Sequence, residues 1–204
     1  MRVGIFGGTF DPVHYGHLVV AEQAREQAEL DQVWFVPSAR PPHKLDAPIT
    51  AFDRRADMLT LALAGHEDKF RVESLEKDRP GPSFTADTLD VLHTAHRKND
   101  WFLILGADSV RDLPTWHDPL RVVDRATIVA AGRPGYTNWS AADLAAALAI
   151  EAKRVRLMTV EIPLIEIASR DLRRRAADGR SLLFQVPHAV GVYINEKKLY
   201  RTAS

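Results

Sequence analysis

The 204-residue chain contains no cysteine. Disulfide bonds, zinc sites built on thiolates and cysteine nucleophiles are therefore excluded together. The absence also fits a reducing compartment, because disulfides are rare there. Covalent catalysis through a thiol is not expected.

The sequence also lacks a charge surplus and a long apolar segment. Its 27 basic and 27 acidic side chains balance, so the positive excess of proteins that bind nucleic-acid polymers is absent. No apolar run approaches the roughly 20 residues that span a bilayer, and residues 1–6 lack the apolar core of a signal peptide. We therefore expect a cytoplasmic protein with no membrane or nucleic-acid partner. Whether copies associate into a homo-oligomer is left open.

Short segments rich in β-branched and aromatic residues alternate with longer amphipathic segments. The former predict strands and the latter, with apolar residues three and four apart, predict helices. The alternation indicates an α/β fold with a Rossmann-like, doubly wound, mostly parallel sheet and helices on both faces. We expect a single domain over 1–204, which includes a C-terminal helical segment at about 169–200. The predicted strands are 3–6, 33–36, 70–72, 101–105, 127–130 and 155–160, and the predicted helices include 18–29, 52–64, 85–96 and 141–150.

The segment GGTFDPVHYGHL, residues 7–18, follows the first predicted strand. Gly7 and Gly8 let the backbone approach a ligand closely, and the N-terminus of the next helix favours an anion. The glycine spacing matches neither the dinucleotide fingerprint nor the Walker P-loop. If the helix begins near residue 13 or 14, His14 and His17 lie in its first turn and project from the same side.

Three interpretations of His14 and His17 are open at this point. A metal site needs a third ligand, and no acidic residue or histidine stands at a matching offset. A core role is disfavoured because two polar rings at a glycine-flanked helix start pack poorly. The third interpretation is that imidazole N–H groups stabilise charge that develops on a phosphorus centre.

The HYGH segment resembles the H-x-G-H signature of the nucleotidyltransferase superfamily, and the chain resembles its bacterial nicotinate-nucleotide adenylyltransferase branch. The similarity continues in order through PPHK, SFTADTL, LGADSVRDLPTW, GRPG, IASRDLR and VPHAVGVYINEKKLY. It implies adenylyl transfer from ATP to the 5′-phosphate of nicotinate mononucleotide, giving nicotinate adenine dinucleotide and pyrophosphate in NAD biosynthesis. Mg²⁺ is expected to arrive on the ATP phosphates, not in a carboxylate cage of the protein.

The resemblance also implies which residues bind ATP and act in catalysis. His14, His17 and Arg173 would be catalytic. Asp108 follows an apolar strand at a predicted helix start and would bind the nucleotide ribose, with an acidic N-cap as its alternative. Ser169 and Arg173 would contact the outgoing phosphates. The complete implied ATP site is Gly7, Gly8, Thr9, Phe10, His17, Gly106, Asp108, Ser169 and Arg173.

One motif departs from the pattern of the family. The usual motif I-S-S-T-x-I-R is altered here, because Ala168 replaces a serine and Arg170 replaces a threonine. One hydroxyl contact is thereby lost, and Arg170 could supply a charge instead.

The remaining motifs imply a mononucleotide site. Trp116 would stack on the pyridine ring, with core packing as the alternative. Thr85 would contact the pyridine carboxylate, because Phe84 stands where relatives often carry tyrosine. Lys44 resembles part of a loop that closes over phosphates, and Arg133 resembles a mononucleotide anchor. For both charges a solvated loop position is the alternative.

Two other functions compete with this one. The acceptor could be nicotinamide mononucleotide or phosphopantetheine, although the PPHK and IASRDLR motifs and the chain length disfavour phosphopantetheine. The chain could also be a non-catalytic nucleotide-binding regulator that keeps the fold. The presence of both His14 and His17 disfavours that function.

Overall fold

The computed structural model describes residues 1–42, 48–132 and 139–201. Within them the strands are β1 (Arg2–Gly8), β2 (Gln32–Pro37), β3 (Phe70–Val72), β4 (Asp100–Gly106), β5 (Thr127–Gly132) and β6 (Leu157–Glu161). They form one sheet in the order β3-β2-β1-β4-β5-β6, and each neighbouring pair is parallel. The order reverses between β1 and β4, which is where open α/β sheets bind ligands. The predicted doubly wound α/β fold is confirmed.

Helices connect these strands and cover both sides of the sheet. In the described ranges they are α1 (Tyr15–Gln27), α2 (Phe52–Leu63), α3 (Thr85–Ala95), α4 (Ala107–Asp112), α5 (Pro119–Arg125), α6 (Ala141–Ala147), α7 (Ser169–Ala177) and α8 (His188–Glu196). Short 3₁₀ turns occupy Leu113–Thr115 and Ala152–Arg154. In the same residues, no helix combines the length and the apolar character that crossing a bilayer requires.

Successive residues of the central strands alternate between two apolar cores. On β2, Val33 and Phe35 pack into one core, whereas Trp34 and Val36 pack into the other. The first core includes residues of α1, α2, α7 and α8, and the second includes residues of α3, α4, α5 and α6. Because both faces are covered, these strands are apolar along their whole length. This explains why the sequence shows apolar runs and not an alternating pattern.

The start of α1 differs from the prediction in a way that matters for the site. The helix begins at Tyr15, and His14 is its N-cap residue in extended backbone with φ −148° and ψ 169°. The expectation that His14 lies in the first turn is therefore wrong, because only His17 is inside the helix. In the C-terminal segment, α7 ends before Gly179, which has φ +69°, and α8 begins directly after Pro187.

Replacing a core residue tests this arrangement of the sheet. Ile128 on β5 is fully buried, so Ile128→Ala is expected to lower the free energy of unfolding by about 2–5 kcal/mol, because it leaves a cavity. Urea denaturation followed by circular dichroism measures the change. The control Val91→Ala, at a position of α3 that is 44% exposed, should stay within about 0.5 kcal/mol of the wild type. Equal losses in the two variants would contradict the placement of the core.

Candidate active site

The loop of residues 9–14 joins β1 to α1 at the point where the strand order reverses. Phe10 has a positive φ of 50°, and its side chain is only 2% exposed. The ring lies against Gly8, where an added Cβ would come within 2.9 Å of the Phe10 Cζ atom. Gly8 is therefore required for the loop to pack onto the end of the strand. Any contact of Phe10 with ATP has to use its backbone, because its ring belongs to the core.

The imidazole rings of His14 and His17 are stacked at the end of this loop. Their centroids are 3.7 Å apart, and the ring planes are inclined by 23°. The backbone N–H of His14 donates to Nδ1 of His17 over 3.3 Å. A neutral His17 ring therefore carries its proton on Nε2, and this N–H is the donor that His17 offers.

Burial keeps both rings neutral. His14 is 5% exposed, and desolvation of its charged form lowers its pKa from 6.5 to about 4. Burial also lowers the pKa of His17, and the neighbouring His14 lowers it further. At neutral pH the pair consequently presents N–H groups without positive charge.

Gly16, between the two histidines, makes room for the His14 ring. A Cβ atom at Gly16 would lie 3.0 Å from Nδ1 and 3.1 Å from Cε1 of His14. The spacing of the HYGH motif thus has a steric reason in this chain. Nδ1 of His14 is buried and has no hydrogen-bond partner among the described residues, which is unusual for a buried polar atom.

Helix α7 is attached to the histidine loop by two of the predicted phosphate ligands. The Ser169 hydroxyl donates to the carbonyl oxygen of Pro12 over 2.9 Å. Nη1 of Arg173 donates to the carbonyl oxygen of Asp11 over 2.7 Å. Both side chains keep further hydrogen-bonding capacity, since the hydroxyl oxygen can accept and the guanidinium has other N–H groups. The neighbouring Arg170 is exposed.

Asp108 projects from the first turn of α4, directly after β4. Gly106 is the N-cap residue of this helix and makes no side-chain capping bond. The interpretation of Asp108 as an N-cap is therefore wrong. Its side chain is 96% exposed, and Nη1 of Arg111 lies 3.6 Å from Oδ1. Because exposed ion pairs are weak, the carboxylate can exchange this partner for ribose hydroxyls.

A cavity of about 510 Å³ opens beside the end of β1. Five of the predicted residues line it: Gly7, Gly8 and Thr9 on the β1 side, Thr85 at the start of α3, and Trp116. Its volume is within the usual range of small-molecule sites. The histidines and the α7 residues form a second cluster, which is connected to the cavity through the backbone of residues 8–14.

Sequence reasoning missed two features of this cavity. The His117 ring stacks on Phe84 with centroids 4.2 Å apart, and both rings line the cavity. Glu76, also at the cavity, is 5% exposed and accepts a hydrogen bond from the Thr88 hydroxyl over 2.5 Å. The position of His117 directly after Trp116 was a signal that could have identified it. No local pattern marks Glu76.

Two predicted ligands lie outside the described residues. They are Lys44 and Arg133, and their roles stay predictions. In the parts of the chain that the structure describes, no three His, Cys, Asp or Glu side chains are grouped so that they could hold a metal ion.

The low pKa of His14 predicts a loss of stability in acid. The pKa of His14 is about 4 in the folded protein, against 6.5 for an ordinary histidine. Its neutral form therefore stabilises the fold fully above pH 6.5. This contribution is lost as the pH falls towards 4, by about 1.4 kcal/mol per pH unit.

Thermal unfolding between pH 7.5 and 4.5 measures this dependence. The variant His14→Asn should lose less stability over that interval than the wild type. The control His66→Asn, at an exposed histidine, should follow the wild type. If the stability of His14→Asn and of the wild type depended on pH identically, protonation of His14 would not be the cause of the loss of stability in acid.

Comparison with known proteins places the chain in a family. The sequence model described as cytidylyltransferase-like matches residues 5–175. A Thermomicrobium roseum protein described as a probable nicotinate-nucleotide adenylyltransferase is 45% identical over 202 residues, which cover 98% of this chain and 92% of that protein. A Thermus thermophilus protein of the same description is 43% identical over 201 residues, covering 98% and 100%.

Solved structures have the same fold at lower identity. The Plasmodium falciparum nicotinic acid mononucleotide adenylyltransferase complexed with NaAD has a TM-score of 0.76 at 20% identity, covering 98% of this chain and 97% of that chain. The same enzyme complexed with APC has a TM-score of 0.77 at 19% identity, covering 98% and 96%. Together with the sequence matches, these findings show that the chain belongs to the cytidylyltransferase-like family and, within it, to the nicotinate-nucleotide adenylyltransferases.

Proposed function

We propose that the protein transfers the adenylyl group of ATP to the 5′-phosphate of nicotinate mononucleotide. The products are nicotinate adenine dinucleotide and pyrophosphate, and the reaction is a step of NAD biosynthesis. The observation that carries this proposal is the stacked, neutral pair His14 and His17, which lies on the loop that continues from the cavity-lining residues Gly8 and Thr9. The names of the relatives and the NaAD complex of the P. falciparum enzyme support it.

The chemistry requires positioning and charge stabilisation more than proton transfer. An oxygen of the mononucleotide phosphate attacks the α-phosphorus of ATP, and the bond from that phosphorus to the β-phosphate oxygen breaks. The attacking oxygen is already ionised at neutral pH, so no general base is needed. Nε2–H of His17 donates to the α-phosphate oxygens as negative charge develops on them. A neutral donor suits this role, since it does not have to lose a proton.

The ATP site is assigned to the loops after β1 and β4 and to α7. Backbone N–H groups of residues 7–10 face the phosphates at the start of α1, where the helix dipole favours negative charge. Ser169 and Arg173 bind the departing β- and γ-phosphates. Arg173 does so through the guanidinium N–H groups that are not bonded to Asp11. The exposed carboxylate of Asp108 accepts hydrogen bonds from the ribose hydroxyls.

The mononucleotide site is assigned to the cavity. Trp116 stacks on the electron-poor pyridine ring, while Thr85 donates to its carboxylate. The stacked rings of Phe84 and His117 add an aromatic wall to the cavity. Lys44 and Arg133 would add positive charge near the substrate phosphates, which have to be brought together against their mutual repulsion.

We further propose that Mg²⁺ accompanies ATP and that the reaction takes place in the cytoplasm. The metal neutralises phosphate charge when it is bound. The triphosphate supplies oxygen ligands of its own.

A pyrophosphate-release assay tests the proposed acceptor. ATP and Mg²⁺ are supplied with nicotinate mononucleotide, nicotinamide mononucleotide or phosphopantetheine in parallel reactions. Turnover is expected with the nicotinate substrate at the highest kcat/KM. Absent turnover with that substrate, or equal kcat/KM values for the acid and the amide, would refute the assignment.

Removing the proposed donor tests the catalytic step. His17→Ala is expected to lower kcat about 100-fold, which is the usual scale for the loss of one transition-state donor. The control is His93→Ala, because His93 and His96 have the same sequence spacing but lie at the end of α3. That control should keep the wild-type kcat. An unchanged kcat in His17→Ala with a lower melting temperature would make the histidine structural.

A further inference from the structure

A tyrosine near the C-terminus reaches the histidine loop from far along the sequence. The Tyr200 hydroxyl donates to Oδ1 of Asp11 over 2.7 Å, across 189 residues. Asp11 is three residues before His14 in the same loop, and it is only 3% exposed. Neither residue is used in the reaction derived above.

Asp11 is a buried carboxylate that is held from two directions. Its Oδ2 atom accepts the backbone N–H of Thr50 over 3.1 Å, and Oδ1 accepts the Tyr200 hydroxyl. Burial, and then the charge of Asp11, raises the pKa of Tyr200, so the phenol stays protonated and remains a donor. A buried carboxylate without such donors would be strongly unfavourable, so these two bonds fix the orientation of the side chain.

The carbonyl group of Asp11 connects this pair to the proposed catalytic residues. It accepts the hydrogen bond from Nη1 of Arg173, while the side chain of the same residue is held by Tyr200. If the backbone at Asp11 shifts when its side chain is released, the acceptor of Arg173 and the loop that leads to His14 move with it. On the other side of this loop, Nη1 of the buried Arg55 donates to the carbonyl oxygen of Thr9 over 2.8 Å.

The backbone of Tyr200 indicates that this contact is specific. Tyr200 has φ +66°, a left-handed conformation that is uncommon for residues other than glycine. Tertiary contacts have to hold it there. The ring packs against the core next to α2, and its oxygen lies 4.0 Å from the Met58 sulfur. The packing of the ring therefore holds the hydroxyl at Asp11.

We propose that Tyr200 is a positioning residue, which holds Asp11 and thereby sets the geometry of His14 and Arg173 for adenylyl transfer. The kinetic part of this inference rests on the proposed function. It adds the C-terminal tyrosine to the residues on which the rate depends, although Tyr200 itself does not touch the reacting atoms.

The chain contains a matched control for this bond. Tyr193 on α8 also donates its hydroxyl to a carboxylate, Oδ2 of Asp57 on α2, over 2.5 Å. Tyr193→Phe and Tyr200→Phe thus each remove one phenol oxygen from a Tyr–Asp pair in which the tyrosine comes from the C-terminal region. The described hydrogen bonds of Tyr193 run to Asp57 and Arg54 on α2 and not to the loop of residues 9–14, so Tyr193→Phe should keep the wild-type kcat.

Steady-state kinetics of the purified variants, measured below their melting temperatures, test the positioning role. Tyr200→Phe is expected to lower kcat about tenfold, with the KM for ATP and for nicotinate mononucleotide changed less than about twofold, since misplaced groups slow the chemical step. In a double-mutant cycle, adding Tyr200→Phe to Asp11→Asn should lower kcat no further, because the tyrosine acts through that carboxylate.

Imidazole NMR spectra give a readout that does not depend on activity. The ring resonances of His14 and His17 should shift in Tyr200→Phe and stay in place in Tyr193→Phe. Equal kcat values in the two tyrosine variants, together with unshifted imidazole resonances in Tyr200→Phe, would overturn the proposal. If the wild type released no pyrophosphate with nicotinate mononucleotide, the proposed function would fail, and the spectra would still decide the positioning role.

Discussion

Three long-range hydrogen bonds to carbonyl groups of one loop determine where the histidines lie. The carbonyl oxygens of Thr9, Asp11 and Pro12 accept from side chains 46, 162 and 157 residues away. A loop between a strand and a helix has few backbone partners of its own, and unpaired carbonyl groups at a buried site are unfavourable. The side chains of α2 and α7 supply the missing donors. The same contacts that satisfy the backbone therefore attach Arg173 to the loop that ends at His14.

The electrostatics of the site follow from this packing. A loop held so closely leaves little water around His14, and desolvation then lowers its pKa to about 4. Two histidines at 3.7 Å would repel each other if both were charged, so neutrality is also what allows them to stack. In the proposed site, positive charge for the phosphates comes from the guanidinium group of Arg173. In the proposed mechanism, neutral rings donate hydrogen bonds and Arg173 compensates charge, so the two tasks fall to different residues.

Much of the fold could be predicted from the sequence, because β-branched runs and amphipathic segments are local patterns. The sequence also places the HYGH histidines at the turn between β1 and α1, and their catalytic roles stay predictions. Other features depend on partners that are distant along the chain. Phe10 looks like a ligand residue in a glycine-rich turn, yet its ring fills the core under Gly8. Asp108 looks like a helix cap, yet Gly106 takes that position. The pairing of Asp11 with Tyr200 has no local signal, since the two residues meet only after the sheet is assembled.

The C-terminal segment contacts the histidine loop through Tyr200, although the family model ends before it. That model matches residues 5–175, which leaves α8 and Tyr200 outside, whereas the similar adenylyltransferases extend over 98% of the chain. Val190 and Ile194 of α8 pack into the same core as Met58 of α2 and Ala21 of α1. This packing carries the chain back to the carboxyl edge of β1, where Tyr200 meets Asp11. The helix that carries His17 and follows Asp11 therefore shares one core with α8.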